Sequence, residues 1–351
     1  MHISTTCTSN SEAVSRDWDA FVETDPNATL SHLGGWRDIV STAYEHQTFY
    51  LTACNDGKTT GILPLVHIRS RLFGNSLVSM PFQDYGGVVA EDQETFQALL
   101  DHALRLKEER GAGFVELRYR HEPPVFAISA GTAHGDKSTL VLDLSPGADN
   151  LWKSFSPKVR NQVRKAQKSG LTVQIGGAEL LNEFYRPFAV NMRDLGSPVH
   201  HPRFFSEVFK AFDDKVHLVL IREGSKTVGG LIVFFHKNTA VVPWASCYRN
   251  YFSKCPNNLL YWETMQYACS RGCTQFDFGR SSLNSGTYHF KLQWGAVPFL
   301  LHWQVYGGGM IDNTRQATEG RAFRIASTIW KHIPIAVADV VGPRVRRFLS
   351  N

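Results

Sequence analysis

The feature that most constrains the fold is an internal repeat. The segment GKTTGILPL, which starts at Gly57, resembles GSKTVGGLIVFF, which starts at Gly224; Lys58 and Lys226 match at an offset of 168 residues. In each segment a turn at the Gly and Lys residues separates two apolar runs, which is typical of a β-hairpin. Self-similarity at a fixed offset indicates that one structural unit occurs twice.

A second pair of similar blocks follows in the same order. ALLDHALRLKEERGAGFVELRYR resembles LLYWETMQYACSRGCTQFDFGRS, and Glu116 matches Asp277 at an offset of 161 residues. Each block is typical of an amphipathic helix that stops at a glycine and is followed by a short strand. The sequence therefore predicts an α/β chain of two similar domains, each with a mostly antiparallel sheet flanked by helices.

The length of 351 residues also fits two domains better than a single core. The Ser-Pro-Gly sequence at 145–147 is a turn signal and marks the predicted join. We therefore predict an N-terminal domain at residues 1–147, a C-terminal domain at 148–310 and a helical tail at 311–351.

Composition indicates an ordinary globular protein, since 43% of the residues are hydrophobic, 20% are charged and the net charge is +5. The six cysteines form no CxxC pair, which favours reduced thiols over a zinc site, and we expect no bound metal. The N-terminus lacks the apolar core of a signal peptide, and no apolar run is long enough to span a membrane. A cytoplasmic location is expected.

A basic helix is predicted at the start of the second domain, in SPKVRNQVRKAQKSG. Ser156 and Pro157 supply the N-terminal signals, and Gly170 lies just past the C-terminal end. No acidic residue occurs between positions 151 and 169. The basic stripe is formed by Arg160, Arg164 and Lys168. It is either a solvated face or a surface for a phosphate-rich partner such as tRNA, a nucleotide diphosphate or anionic lipid.

Functional side chains are concentrated in DFGRSSLNSGTYHFKLQWGA, residues 277–296. Strict alternation in HFKLQWG predicts a strand with Phe290 and Leu292 in the core. The opposite face, with His289, Lys291 and Gln293, would then line a cleft. His289 is a candidate general base, because its usual pKa suits proton transfer at neutral pH.

The remaining polar residues of this stretch have two interpretations. Asp277 and Arg280 either form a structural ion pair that holds the loop containing Asn284, or contact substrate themselves. Trp294 either packs the floor of the cleft or stacks on a sugar or a base. The glycine of the loop allows the backbone to approach a ligand closely.

These motifs carry a family resemblance. LW…S.K.RNQVRKAQKSGL, followed by FDFGRSS…GTYHFKLQWGA, resembles the Fem-type peptidyltransferase family. LPLVHIRSRLFGNSLVSMPFQDYGG and NMRDLGSPVHHPRFF are similar to the subgroup found beside PEP-CTERM/exosortase and exopolysaccharide genes. The likeness extends from about residue 15 to about residue 345. It implies two tandem GNAT-like (acyl-CoA N-acyltransferase) domains.

The resemblance also implies a reaction in which an amine attacks an activated acyl carbon. The product would be an amide on an amino-bearing cell-envelope precursor, such as a glycan or peptide precursor, or on an exopolysaccharide component. The catalytic role falls on Lys291 of the Phe290–Lys291 pair, whose positive charge would stabilise the oxyanion. No tightly bound cofactor is implied.

The acyl donor stays open between aminoacyl-tRNA and acyl-CoA. The sequence has neither the coiled-coil insertion of some Fem enzymes nor a clear Q/R-x-x-G-x-G/A phosphate loop. The alternative function is a non-catalytic binding or scaffold protein of polysaccharide assembly. A nucleic-acid-binding protein is a third possibility, but the modest net charge argues against it.

In the family, substrate-binding residues lie in segments similar to three others in this chain. SMPFQDYGG contains Asp84 and Tyr85, and SCYRN contains Tyr248. NMRDLGSPVHH contains Arg193, whose guanidinium could bind a phosphate or a carboxylate bidentately. Substrate contacts are also predicted for Asp277, Arg280, Asn284 and Trp294.

The tail is predicted to be helical from Ala322, with Pro334 ending or kinking the helix. Its apolar face is formed by Ile325, Ala326, Ile329 and Ile333. The chain then finishes with GPRVRRFLS, which is both basic and apolar. This pattern predicts packing against a domain or peripheral contact with an anionic membrane.

Overall fold

The computed structural model describes residues 2–7, 12–125, 127, 132–134, 137–307 and 321–350. These residues form two compact units. The first unit comprises Met1–Gly135, Leu300–Ala326 and Arg344–Asn351, and the second comprises Asp136–Phe299 and Ser327–Pro343.

The first unit is built on an eight-stranded sheet. Its strands are β1 (His2–Cys7), β2 (Gln47–Asn55), β3 (Lys58–Ser70), β4 (Gly74–Val78), β5 (Val89–Ala90), β6 (Phe114–Tyr119), β7 (Thr132–His134) and β15 (His302–Tyr306). Their order is β1-β2-β3-β4-β6-β15-β7, and β5 pairs with β3. The helices are α1 (Glu12–Thr24), α2 (Gly35–Tyr44) and α3 (Gln93–Glu109).

The core of this unit lies where α3 covers the sheet. Leu99 of α3 packs in a cluster with residues of β2, β3 and β6 that are fully buried, among them Phe49, Leu63 and Leu117. The helix begins at the N-cap Asp92, whose carboxylate accepts a hydrogen bond from the Thr95 backbone N–H.

The second unit is built on a seven-stranded sheet with the order β14-β8-β13-β12-β11-β10-β9. Its strands are β8 (Lys137–Asp143), β9 (Leu171–Gly176), β10 (Val216–Glu223), β11 (Lys226–His236), β12 (Thr239–Cys247), β13 (Gln275–Ser282) and β14 (Val297–Leu300). Its helices are α4 (Ala148–Ser154), α5 (Pro157–Lys168), α6 (Leu181–Asp194), α7 (Pro202–Phe212), α8 (Pro256–Ser270) and α9 (Gly286–Leu292). Two tail helices follow, α10 (Arg321–Trp330) and α11 (Ile335–Arg346).

Both faces of the second sheet are covered. On one face the apolar residues of α4, α5 and α8 form a buried cluster with β8, β11 and β13. On the other face α6 and α7 contribute a group of aromatic rings around Trp244 of β12, including Phe204 and Phe205. The fold class is therefore confirmed, since each unit has a mostly antiparallel sheet flanked by helices.

The two repeat blocks occupy equivalent positions in the two sheets. The hairpin β2–β3 has a register shift between Ala53 and Cys54, and the hairpin β10–β11 has the same shift between Ile221 and Arg222. The offset is again 168 residues. Gly111 and Gly272 both have positive φ just past the ends of α3 and α8, as a C-terminal glycine requires. The predicted hairpins and helix ends are thus confirmed.

The units do not follow the predicted domain limits. Strand β8 lies before the predicted join yet belongs to the second sheet, and β15 lies in the predicted second domain yet pairs with β6 of the first sheet. Turn residues mark where the chain bends, but they do not reveal which sheet a neighbouring strand joins. The structure therefore divides the chain at 135/136, with further segments of the first unit at the C-terminal end.

One predicted element is wrong. HFKLQWG was expected to form a strand, but residues Gly286–Leu292 form helix α9. The Ser285 side chain accepts a hydrogen bond from the Tyr288 backbone N–H and so caps the helix. Over so short a run, the alternation of Phe290 and Leu292 fits a strand and a short helix equally well.

Candidate active site

In the second unit, β12 and β13 separate from each other after a short parallel pairing. Only Thr239–Val241 of β12 pair with Gln275–Asp277 of β13. Pro243 lies two residues further along β12; it has no N–H to donate and lies at a register shift between β11 and β12. Beyond this point β12 and β13 no longer pair with each other, and no other described strand lies between them. We call this gap the strand opening.

A bulge in β13 lies at the strand opening. The register between β13 and β8 shifts between Asp277 and Arg280, and Gly279 has a φ of +72°. A Cβ atom at Gly279 would come within 2.7 Å of the Val242 carbonyl oxygen. Only glycine combines the left-handed conformation with this close approach to β12.

Asp277 holds the bulge from one side. Its carboxylate accepts hydrogen bonds from the Thr139 hydroxyl, at 2.5 Å, and from the Gly279 backbone N–H, at 2.8 Å. The side chain is buried, with 2% of its surface exposed. Its partners include backbone of the bulge itself, while the ion pair between Asp277 and Arg280 stays a prediction.

Lys291 binds the backbone carbonyl groups of the bulge. From helix α9, its Nζ donates to the carbonyl oxygens of Gly279, at 2.6 Å, and Arg280, at 3.1 Å. The residue is only 6% exposed. The expected lysine is therefore at the strand opening, but it reaches it from a helix and as a buried cation rather than from a cleft-lining strand.

Three buried polar atoms, on β8, on β13 and just after α9, lack a hydrogen-bond partner among the described residues. They are Ser138 Oγ, Ser281 Oγ and Trp294 Nε1. Ser281 directly follows Arg280, and Ser138 is its register partner on β8, so the two side chains lie on the same face of the sheet. Because a buried donor without a partner costs about 1–3 kcal/mol, such atoms suggest a place for a ligand.

These groups are suited to stabilising negative charge on oxygen. A lysine ammonium, two hydroxyls and an indole N–H are all donors, and an oxyanion in a buried setting is stabilised by such donors. Cys247, which ends β12, is not a suitable nucleophile. Burial raises the pKa of its thiol to about 12, so the thiol is protonated at neutral pH.

The neighbouring predicted residues divide into packed and exposed groups. Phe290 packs on Tyr261 with ring centroids 5.3 Å apart, and Trp294 packs edge-to-face on Phe155 at 5.1 Å. His289 and Asn284 are exposed. Asn284 has a φ of +60° in the turn before α9.

Two predicted substrate residues are engaged elsewhere in the second unit. Arg193, at the end of α6, donates to Asp194 at 2.8 Å and to the Ile333 carbonyl at 3.2 Å. Tyr248 is half-buried after β12, and its backbone N–H donates to the Val228 carbonyl. In this structure the Arg193 guanidinium therefore donates to protein groups, and it does not offer the bidentate site that was predicted for a ligand.

The basic helix α5 forms as predicted, with Ser156 as N-cap, Pro157 in the first turn and Gly170 past the end at a φ of +76°. Arg164 and Lys168 are exposed, whereas Arg160 is half-buried and its Nε has no partner among the described residues. The helix lies beside the first turn of α8, where Asn258 donates a hydrogen bond to Gln162.

The first unit has a pocket of its own, with a volume of about 230 Å³. It lies where β6 leaves β4 after three parallel residue pairs, the counterpart of the strand opening. Its lining includes His32, Tyr85, Gly87, Arg118, Arg120 and His121. The Arg120 guanidinium lies 5.8 Å from the centre of the Tyr85 ring. Asp84 is half-buried beside it in the chain, and its carbonyl accepts from the Trp303 indole.

Four residues at the strand opening were not predicted from the sequence as part of a site: Ser138, Thr139, Pro243 and Gly279. Pro243 and Gly279 were visible as a proline and a glycine inside strand-like runs, which is the usual signal of a bulge. Ser138 and Thr139 lie in a strand whose partner could not be read from its own sequence. No cluster of three or more potential metal ligands occurs in the described part of the chain. None of the described helices has the length and hydropathy needed to cross a bilayer.

Comparison with known proteins supports the architecture. Residues 153–292 match the family model for the acetyltransferase (GNAT) domain. A search of curated proteins finds no significant match.

Several solved structures have a similar fold over most of both chains. FemX has 17% identity and a TM-score of 0.67, covering 86% of this chain and 97% of FemX. L-PGS from Bacillus licheniformis has 14% identity and a TM-score of 0.57, covering 89% of this chain and 97% of L-PGS.

A tandem GNAT protein from the clavulanic acid biosynthesis pathway has 12% identity and a TM-score of 0.55, covering 88% of this chain and 99% of that protein. At these identities the likeness concerns the fold. The chain therefore has a tandem GNAT fold, and residues 153–292 in its second unit match the GNAT acetyltransferase domain family.

Proposed function

We propose that the protein is an acyltransferase that forms an amide bond on an amino-bearing precursor of the cell envelope or of an exopolysaccharide. The observation that carries this proposal is the buried Lys291 ammonium at the β13 bulge, together with two buried hydroxyls on β8 and β13 that have no partner among the described residues. A cluster of donors at a glycine bulge provides what acyl transfer needs, a preorganised site for an oxyanion.

In the proposed reaction, a neutral amine attacks the carbonyl carbon of the acyl donor. A C–N bond forms and the carbonyl oxygen becomes an oxyanion, which Lys291 stabilises. Collapse of the intermediate breaks the bond to the leaving group, a thiolate of CoA or a ribose oxygen of tRNA. The amine loses one proton to a general base, for which the exposed His289 is the candidate, and the leaving group takes up a proton.

The strand opening is the proposed donor site. An extended chain with amide groups can bind to the separated edges of β12 and β13 as an added strand would. Helix α5 and the N-terminus of α8 lie at the end of β12, joined by the Gln162–Asn258 hydrogen bond. Basic side chains and a helix N-terminus together favour the phosphates that both candidate donors carry.

The pocket of the first unit is the proposed acceptor site. Arg120 can bind a phosphate or a carboxylate, and Tyr85 lines the same pocket. The family resemblance of the sequence and the fold likeness to FemX and L-PGS support an acceptor from the cell envelope. The sequence motifs alone favour the PEP-CTERM/exosortase-associated subgroup, and a cytoplasmic reaction is part of the proposal.

A ligand screen by thermal shift tests the proposal. Acetyl-CoA, longer acyl-CoAs, aminoacyl-tRNA and UDP-sugar precursors are compared at equal excess. A true ligand at a hundredfold excess over its Kd should stabilise the protein by about 2.7 kcal/mol. Stabilisation by a donor and by an amino-bearing acceptor, followed by a new amide in the product mass spectrum, supports the enzyme. Binding of an acceptor alone, with no product from any donor, supports the alternative of a scaffold protein.

A further inference from the structure

The positive charge of the chain is concentrated at its C-terminal end. Residues 321–351 contain six Lys and Arg residues and a single acidic residue, Asp339. Their net charge of +5 equals that of the whole chain, so residues 1–320 are neutral overall. The single acid is paired, because Asp339 lies 4.0 Å from the Arg186 guanidinium.

The same segment exposes large aliphatic side chains. Ile325 and Ile329, one turn apart on α10, are 52% and 60% exposed. Val337, Val340 and Val341, at helical spacing on α11, are 46%, 56% and 38% exposed. Exposed apolar residues that recur on one face of a helix indicate an interaction surface more strongly than isolated ones do.

These helices are held in place by their other side chains. Ala338 is buried, and Trp330 lies against Gly342, where an added Cβ would come within 3.5 Å of the indole. The Ile333 carbonyl accepts from Arg193. The aliphatic side chains are therefore exposed although the helices that carry them are packed against other residues.

We propose that α10 and α11 dock the protein on an anionic lipid surface. Ile329, Val337 and Val340 would enter the interface, while Lys331 and Arg344, both exposed, would meet lipid headgroups. Apolar and basic residues with a single acid match an anionic bilayer. An apolar protein partner would not require the excess of positive charge.

Vesicle co-sedimentation of the full chain tests this proposal. We expect binding to phosphatidylcholine vesicles that contain phosphatidylglycerol, little binding to phosphatidylcholine alone, and weaker binding at high salt. Replacing Lys331 and Arg344 with Gln should weaken binding about fivefold for each charge removed. Replacing Ile329 and Val340 with Asn should weaken it about tenfold, since apolar area no longer enters the interface.

Two matched variants serve as controls. Leu72→Asn removes an aliphatic side chain that is 84% exposed in the first unit, and Lys210→Gln removes an exposed cation from α7. Neither should change vesicle binding. Hydrogen exchange of the wild-type protein with and without vesicles should show new protection in α10 and α11.

Three results would overturn the proposal: no binding to anionic vesicles, equal losses in the control variants, or protection confined to other segments. A dimer that dissociates in the Ile329/Val340 variant would instead assign this face to a second copy of the chain.

Discussion

At the scale of single residues, the two units differ most clearly at one equivalent position. Arg118 and Gly279 are related by the 161-residue offset. Arg118 is fully buried; its guanidinium binds Glu116 and the Gln83 carbonyl and lies 4.0 Å from the centre of the Trp303 ring. Gly279 has no side chain there, and its carbonyl binds Lys291. In the first unit this position is therefore occupied by the Arg118 side chain, whereas in the second unit it is occupied by backbone alone.

Arg120 is expected to bind the acceptor. Replacing Arg120 with Gln should raise the acceptor KM by about 10- to 100-fold, because a charge-assisted hydrogen bond contributes about 1.5–3 kcal/mol. The donor KM should not change. Steady-state kinetics at saturating donor measures the effect. Arg105→Gln, an exposed change on α3, is the control, and an unchanged acceptor KM in Arg120→Gln would remove the pocket from the mechanism.

His46 is expected to make the protein sensitive to acid. Burial is the main cause that lowers the pKa of this histidine to about 4 from its usual 6.5, and its Nε2 donates to the Arg347 carbonyl at 2.6 Å. The unfolded chain therefore binds more protons between these values, and stability should fall as the pH drops from 6.5 towards 4.

The loss attributable to His46 should be on the order of 3 kcal/mol. Urea unfolding at a series of pH values measures it as the difference between the wild type and His46→Gln. If both proteins lose stability with the same slope in this pH range, the histidine is not responsible.

At the scale of elements, the sequence was most informative where local chemistry decides the outcome. Helix α5 was predicted from its N-cap, its proline and its terminal glycine, and all three act as expected. Helix α9 was missed because its apolar residues also fit a strand, and only Ser285 distinguished the two. The partners of Lys291 could not be predicted, because the bulge that binds it is created by contacts with β12 and β8.

The basic helix is expected to contribute donor affinity without taking part in chemistry. Changing Arg160, Arg164 and Lys168 together to Gln should weaken donor binding and reduce the slope of its salt dependence. Isothermal titration at several salt concentrations measures both.

A triple variant at Lys58, Arg203 and Lys210, all exposed, removes the same charge at other places and should keep the wild-type values. Equal behaviour of the two triple variants would mean that α5 is a solvated face.

At the scale of the whole molecule, the repeat predicted two sheets of similar design, but it did not predict the assignment of every strand. Strand β8 precedes the predicted join and lies between β13 and β14, while β15 returns to the first sheet. Strand pairing over such separations depends on tertiary contacts that leave no local pattern, which is why the domain limits differ from those predicted.

This assignment can be tested with fragments of the second unit. A fragment of residues 136–300 contains all seven strands of its sheet and should unfold cooperatively. A fragment of residues 148–300 lacks β8, including Leu140 and Leu142 of the core, and should be aggregated or unfolded. Circular dichroism with thermal melting compares them. Equal stability of both fragments would contradict the place of β8 in the sheet.

The most direct test of the account is the single-turnover rate of amide formation by Lys291→Met at saturating donor, well below the melting temperature. Loss of the positive charge should lower the rate about 10²- to 10³-fold. Loss of the two hydrogen bonds to the bulge carbonyls should also lower stability, by about 1–3 kcal/mol, but donor affinity should change little. Lys210→Met, an exposed change, should retain the wild-type rate. A folded Lys291→Met protein within about threefold of the wild-type rate would show that the lysine only supports the bulge and that the catalytic assignment is wrong.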